Sequence, residues 1–137
     1  MPASVLKWFL REPDSAAADF LLEKFLNDEA ELLAPDLILV ETASALSKRV
    51  LVRKEMSADE AMLIHRDLLT LPLSLIASGK VADAALQIAL RQKHSVYDAI
   101  YCALAIERCE FVTADWTLAN KLQDVFPFTV HISAIKP

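Results

Sequence analysis

Glycine is almost absent, with one residue in 137. That excludes collagen-like and glycine-rich low-complexity chains. It also argues against a protein built from β-hairpins, whose tight turns favour Gly or Asn-Gly. Cysteine is scarce too, with two residues. If Cys102 and Cys109 share a helix, they stand about 10.5 Å apart at ~1.5 Å per residue, beyond the ~7 Å reach of a disulfide. Reduced core thiols in a reducing compartment are expected. No apolar run approaches the ~18–20 residues of a membrane span. Lys7 and Arg11 come too early for the apolar core of a signal peptide. The expected setting is the cytoplasm, with no membrane partner. Positive charge is also short: 14 Lys and Arg against 19 Asp and Glu give a net charge of −5. That is wrong for a non-specific nucleic-acid coat protein, but not for a nuclease whose catalytic groups are carboxylates.

Apolar residues make up 55% of the chain, and the mean hydropathy is +0.33. Such a chain buries enough surface to offset its ordering entropy, so it is not disordered. Its length fits one domain, residues 1–137, and the apolar excess points to an oligomer or a constant protein partner.

Pro13 ends the apolar stretch Val5–Leu10. A helix is predicted over Ser15–Leu26, then a strand over Glu31–Ala34. A long helix follows from Pro35 to Arg53, started by proline geometry or by capping from Asp36. Ser57 and Glu60 have capping-box spacing and open a helix ending near Leu71. Further elements are a strand over Leu73–Ile76, helices over Lys80–Gln92 and Ser95–Arg108, and a strand over Phe111–Thr113. A helix from Asp115 to Val125 and a strand over Phe128–Ile132 complete the chain. Short apolar strands alternate with helices and no hairpin intervenes. The pattern is that of parallel βαβ units in a three-layer α/β/α sandwich with a mainly parallel sheet.

Three acidic residues stand out. Glu41 interrupts an otherwise apolar helix face, where an unpaired carboxylate is rarely buried. Asp98 lies in the first turn of its helix. Asp115 follows a strand, at the end where open α/β sheets form their sites. Capping explains Asp98 and Asp115 as readily as ligation does. Gathered together, the three carboxylates would repel one another and raise each other's pKa. A hard divalent cation, Mg²⁺ or Mn²⁺, removes that conflict and supports phosphodiester hydrolysis. Lys48, Arg49, Arg53 and Lys54 form a basic cluster, either a solvated face or a phosphate contact. Lys7 joins Lys48 and Arg49 as a candidate RNA-binding cation. His65, His94 and His131 read as helix-surface or loop residues, and Trp8 as packing.

The motifs resemble those of the PIN-domain ribonucleases, and among them the VapC-type toxins of toxin–antitoxin pairs. Ala3-Ser4-Val5-Leu6-Lys7-Trp8-Phe9 is similar to the family's opening motif. Leu33-Ala34-Pro35-Asp36 through Glu41 to Leu46 resembles its acidic helix. Ser95-Val96-Tyr97-Asp98-Ala99-Ile100-Tyr101-Cys102-Ala103-Leu104-Ala105 resembles its third acidic segment, and Val112-Thr113-Ala114-Asp115 with Leu118-Ala119 its fourth. The resemblance implies a PIN-like α/β/α fold and an Mg²⁺- or Mn²⁺-dependent endoribonuclease that cuts tRNA or rRNA. It implies a cognate antitoxin and a homodimer. Glu41, Asp98 and Asp115 take the place of the metal-binding acids, supported by Thr113, Ser4 and Ser44. Ser44 stands where the family usually has Asn. A further acid, which closes the family's first strand, falls on Met1 or Pro2. The central strand before it is then truncated, through an upstream start or a natural loss, and its neighbours are left with unpaired backbone groups. A catalytically degenerate module that keeps only the antitoxin-binding surface is the alternative expectation.

Overall fold

A computed structural model describes residues 6–10, 12–106 and 110–136. Ser4, Cys109, the Met1 and Pro2 positions and the far end of the predicted Ser95–Arg108 helix lie outside the described residues. Leu6 to Leu10 make one helical turn, closed by the Leu10 N–H on the Leu6 carbonyl at 2.9 Å. Helix α1 spans Ser15–Leu26, β1 Leu33–Pro35, α2 Leu37–Leu51 and α3 Ala58–Thr70. Then come β2 (Ser74–Ile76), a 3-10 turn (Ser78–Val81), α4 (Ala82–Gln92) and α5 (Val96–Ala105). Strand β3 (Phe111–Thr113), α6 (Trp116–Leu122), β4 (Thr129–His131) and a second 3-10 turn (Ile132–Ala134) close the order. The alternation of strand and helix predicted from sequence is the one observed.

Two predicted starts differ in their chemistry. Asp36 does not cap α2 with its side chain. Its carboxylate instead accepts from the Ser78 N–H at 2.9 Å and from the Ser78 hydroxyl, and these bonds hold it below the usual carboxylate range. The α3 capping box forms as expected. The Glu60 N–H donates to Ser57 Oγ at 3.2 Å, and the Ser57 N–H donates to Glu60 Oε2 at 2.7 Å. Ser95 caps α5 alone, accepting from the Tyr97 N–H at 3.2 Å, so Asp98 is free of capping duty.

The strands form two parallel pairs, β1 with β2 and β3 with β4. Among the described residues no strand joins β1 to β3. Helix α5 packs against both β1 and β3 and spans the interval. Six of its ten residues are buried, among them Tyr101, Cys102 and Leu104. Tyr101, Cys102, Phe111, Leu118 and Leu122 form one core cluster, and Ala34, Ile38 and Leu68 another, with Trp8 packed against the second. The Trp8 indole N–H also donates to the Ala18 carbonyl at 2.8 Å. Helices flank the paired strands in the α/β/α arrangement, and among the described residues no helix is long and apolar enough to cross a membrane.

His65 on α3 and His94 in the loop after α4 sit where expected, and His131 does not. His131 sits in β4 and is buried, and a ring nitrogen of each of His65, His94 and His131 is buried without a hydrogen-bond partner.

Two substitutions separate core from cap. Leu68→Ala empties a side chain that is 1% exposed and is expected to cost ~2–5 kcal/mol. Ser57→Ala removes one cap and should cost about 1 kcal/mol. Urea unfolding of both variants checks the order; an equal loss would contradict the packing described.

Candidate active site

The carboxyl ends of the parallel strands bring the acidic residues to one side of the fold. Strand β1 runs into α2, which carries Glu41 in its second turn. Strand β3 ends at Thr113, two residues before Asp115. Asp98 lies in the first turn of α5, the helix that packs against both strands.

Tyr101 ties the first two together. Its phenol donates to Glu41 Oε2 at 2.5 Å, and its ring stacks on Phe111 with centroids 5.9 Å apart. Burial, then this hydrogen bond and the negative charges of Glu41 and Asp98, push the phenol far above its ordinary pKa. It therefore stays protonated and remains a donor at any physiological pH. It lies inside the Ser95–Ala105 segment of the third acidic motif, but nothing in the sequence assigned it a role beyond a polar tip three residues after Asp98 on a helix otherwise turned to the core.

Burial pushes the Asp98 carboxyl above the usual carboxylate range. His94, with Nδ1 3.8 Å from Asp98 Oδ2, opposes that rise, and Asp115 adds to it by repulsion. Asp98 and Asp115 thus sense each other's charge. Asp115 caps α6: its Oδ1 accepts from the Leu118 N–H at 3.0 Å. Its own N–H donates to Oγ1 of the fully buried Thr113 at 3.1 Å. Capping and site placement are compatible here, since one carboxylate oxygen serves the cap.

The donors fit a hard cation in kind, being carboxylate oxygens with a desolvated Asp98 among them. In placement the fit is incomplete. Among the described residues no three His, Cys, Asp or Glu side chains stand close enough together to hold one ion. The Cys102 thiol, pushed up to about 12 by burial and then by Asp98, is not a ligand at neutral pH.

Beside Glu41 lies a cleft of about 370 Å³ whose walls include Ser44, Lys48, Arg49 and Arg53. Ser44 is exposed there, and its carbonyl accepts from the Ser47 hydroxyl at 2.9 Å. Two of the expected cations are already committed. Lys7 is buried; its ammonium donates to the Pro13 carbonyl and lies 3.7 Å from Glu12 Oε2. It is a structural cation and not a contact for RNA, because a buried ammonium needs its internal partners. Arg49 pairs with Glu12 and, at 2.9 Å, with Glu55. Lys48 and Arg53 are the exposed cations of this wall.

A carboxyl raised in the folded state binds its proton more tightly there than in the unfolded chain. What Asp98 contributes to stability is therefore complete below its ordinary value of 3.8 and lost as pH rises through its folded value. Asp98→Asn is expected to raise the urea midpoint near neutral pH, by a margin that shrinks as pH falls toward the ordinary carboxylate range. A variant less stable than its parent at neutral pH contradicts the burial argument.

Compared with known families, the chain matches the one described as PIN domain over residues 3–121. No curated protein matches it.

Proposed function

The chain belongs to the PIN-domain family, whose members are generally nucleases, and from that premise we propose that it is a metal-dependent endoribonuclease of the VapC toxin type. The observation that carries the reading is the Glu41–Tyr101–Asp98 group, set with Asp115 at the carboxyl ends of the strands. Burial of Asp98 against a neighbouring acid is a cost to the fold that a bound cation offsets.

Glu41, Asp98 and Asp115 would hold Mg²⁺ or Mn²⁺, which when bound lowers the pKa of water and neutralises charge on a phosphodiester. The residues around them do the positioning. Tyr101 fixes one oxygen of Glu41 by its hydrogen bond. Thr113 and the start of α6 fix the loop that presents Asp115. Lys48 and Arg53, on the cleft beside Glu41, supply positive charge for the flanking phosphates of a tRNA or rRNA substrate. Ser44, on the same cleft, adds a hydroxyl to the polar surround in this reading.

The partners follow from the apolar surface. Leu51 and Val52 at the end of α2, with Met62 and Leu63 on α3, are exposed and border a groove of about 240 Å³. An antitoxin that covers this groove accounts for them. Leu86 and Leu90, exposed on α4, suit a homodimer contact. The protein then works in the cytoplasm with its RNA. A second reading, a module that binds the antitoxin without cleaving RNA, is favoured by one observation: no three acids in the described residues stand close enough to share an ion.

Incubation of folded protein with mixed tRNA and rRNA and Mn²⁺ tests the first reading. Cleavage is expected to require the metal and to vanish in Asp98→Asn. Tyr101→Phe, which frees Glu41 from its partner, should lower the rate ~10–100-fold, as loss of a ligand's supporting group does. Absence of cleavage from a chain shown to be folded, with antitoxin binding intact, selects the binding module instead.

A further inference from the structure

Trp116 is the largest apolar side chain that the fold leaves in the open, at 57% exposure. It follows Asp115 and is the first residue of α6. One face of its ring is taken. The His131 imidazole lies against it, with centroids 3.6 Å apart and planes 16° from parallel. A ring stacked this closely on one side is more than half exposed only if its other face meets solvent. The backing ring is held firmly. His131 is buried in β4 and pairs in register with Thr113 of β3. Its Nδ1 accepts from the Ser133 N–H at 3.2 Å and lies 2.8 Å from Ser133 Oγ. Thr113 in turn accepts from the Asp115 N–H. The strand pair that positions Asp115 therefore also positions the support behind Trp116.

Packing gives no reason for a tryptophan at this place. The core contacts of α6 are made by Leu118 and Leu122. The other exposed residues of the helix, Thr117, Asn120 and Lys121, are polar, and Asn120 stands one turn on from Trp116 on the same face. A tryptophan that anchors a protein partner belongs to a well-packed, desolvated patch, whereas this ring has polar neighbours along its helix. A flat π-face with polar surroundings suits a nucleobase, which brings a flat face and a polar rim of its own. Because His131 fixes the indole plane beforehand, little freedom is lost when a base lands on it. Positive charge is at hand for the adjoining phosphates. The Lys121 ammonium donates to the Lys93 carbonyl at 3.3 Å, and both lysines are exposed.

We propose that the open face of Trp116 stacks an unpaired base of the RNA substrate, beside the phosphate that the acidic site addresses, with His131 as the residue that positions the indole. The inference deepens the nuclease reading and rests on it for the ligand. A base inside a duplex has both faces covered, so the substrate presents a loop or a single strand here. Stacking reads no hydrogen-bond pattern, so every base is accepted, and purines are held better through their larger overlap.

Titration of the full chain with single-stranded pentaadenylate tests it, with Ca²⁺ in place of Mn²⁺ and intrinsic fluorescence as the readout. Of the two tryptophans, Trp8 is packed against the core and bonded to Ala18, so quenching reports Trp116. Pentaadenylate is expected to quench, pentauridylate to quench less, and an abasic ribose-phosphate strand of the same length not at all. Fluorescence anisotropy of labelled strands gives the affinities. Trp116→Ala should weaken pentaadenylate binding about 5–150-fold, as loss of a base–aromatic stack does, and leave the abasic strand unaffected. Trp116→Phe, which keeps a ring, should recover most of the loss. Equal weakening of both strands by Trp116→Ala marks a structural role and overturns the proposal. Unquenched fluorescence at saturating pentaadenylate also overturns it, as does failure to bind either strand. Unchanged RNA binding by a Trp116→Ala chain that has lost its oligomeric state makes the ring a protein anchor, and overturns it too. Base-dependent quenching without cleavage under Mn²⁺ supports the stack and removes the nuclease reading. Mn²⁺-dependent cleavage with the same KM in Trp116→Ala overturns the stack alone.

Discussion

The bond from Tyr101 to Glu41 is the constraint on which the other arrangements depend. One side chain joins three elements: α5 through its backbone, β3 through the stack on Phe111, and α2 through the carboxylate. Without a strand between β1 and β3 among the described residues, no ladder of backbone bonds connects the two strand pairs. Helix α5 and this tyrosine make the connection instead. A phenol inside an apolar cluster needs a partner, and a carboxylate on a largely apolar helix face needs a donor. Each solves the other's problem. The pairing also fixes where Glu41 points, so the same contact that holds the halves together sets one edge of the acidic site.

The acids differ in what they contribute to the fold. Asp115 stabilises α6 as its cap while it occupies the site. Glu41 repays its half-burial with the Tyr101 bond. Asp98 has no such return. The His94 ring lies 3.8 Å away, and Asp115 pushes against it. An acid kept half-buried beside a like charge, with capping already supplied by Ser95, has no structural reason to be an acid. Perturbed carboxyls of this kind concentrate at functional sites, and among the three Asp98 has the strongest claim to a chemical role.

Local signals in the sequence were faithful, and long-range ones were not. The Ser57–Glu60 box is a four-residue pattern, and it appears as written. Leu37–Val40, open to strand or helix by its own composition, is helical because the apolar spacing continues through Leu46. The placement of Asp115 just past a strand, and of Glu41 and Asp98 on helices, followed from the order of strands and helices. What stayed hidden were contacts between segments far apart in the chain. Asp36 spends its carboxylate on Ser78 across forty-two positions, and Tyr101 reaches Glu41 across sixty. Asp36 and Glu41 stand out in their own neighbourhoods, but nothing there names Ser78 or Tyr101 as the partner. His131 was misplaced for a related reason: its place in β4, paired in register with Thr113, depends on the parallel pairing of β3 and β4.

The basic cluster shows the same principle acting on charge. Read along the chain, Lys7, Lys48, Arg49 and Arg53 are equivalent cations. In the fold they divide by what lies opposite. Glu12, brought next to α2 by the turn at Leu6–Leu10, draws in both Lys7 and Arg49, and Glu55 takes the other side of the Arg49 guanidinium. A partly buried carboxylate between two cations is a structural tie, since removal of one partner would strand the rest. That tie anchors the first turn of the chain to α2 and holds Leu6 against the cleft beside Glu41. The surface that remains for an anionic ligand is then narrower than composition implies: Lys48 and Arg53, on one wall, next to the carboxylate that Tyr101 holds in place. Of these two, Arg53 also lies 3.9 Å from Glu55 Oε1, so Lys48 is the cation of that wall with no ion pair to a described residue.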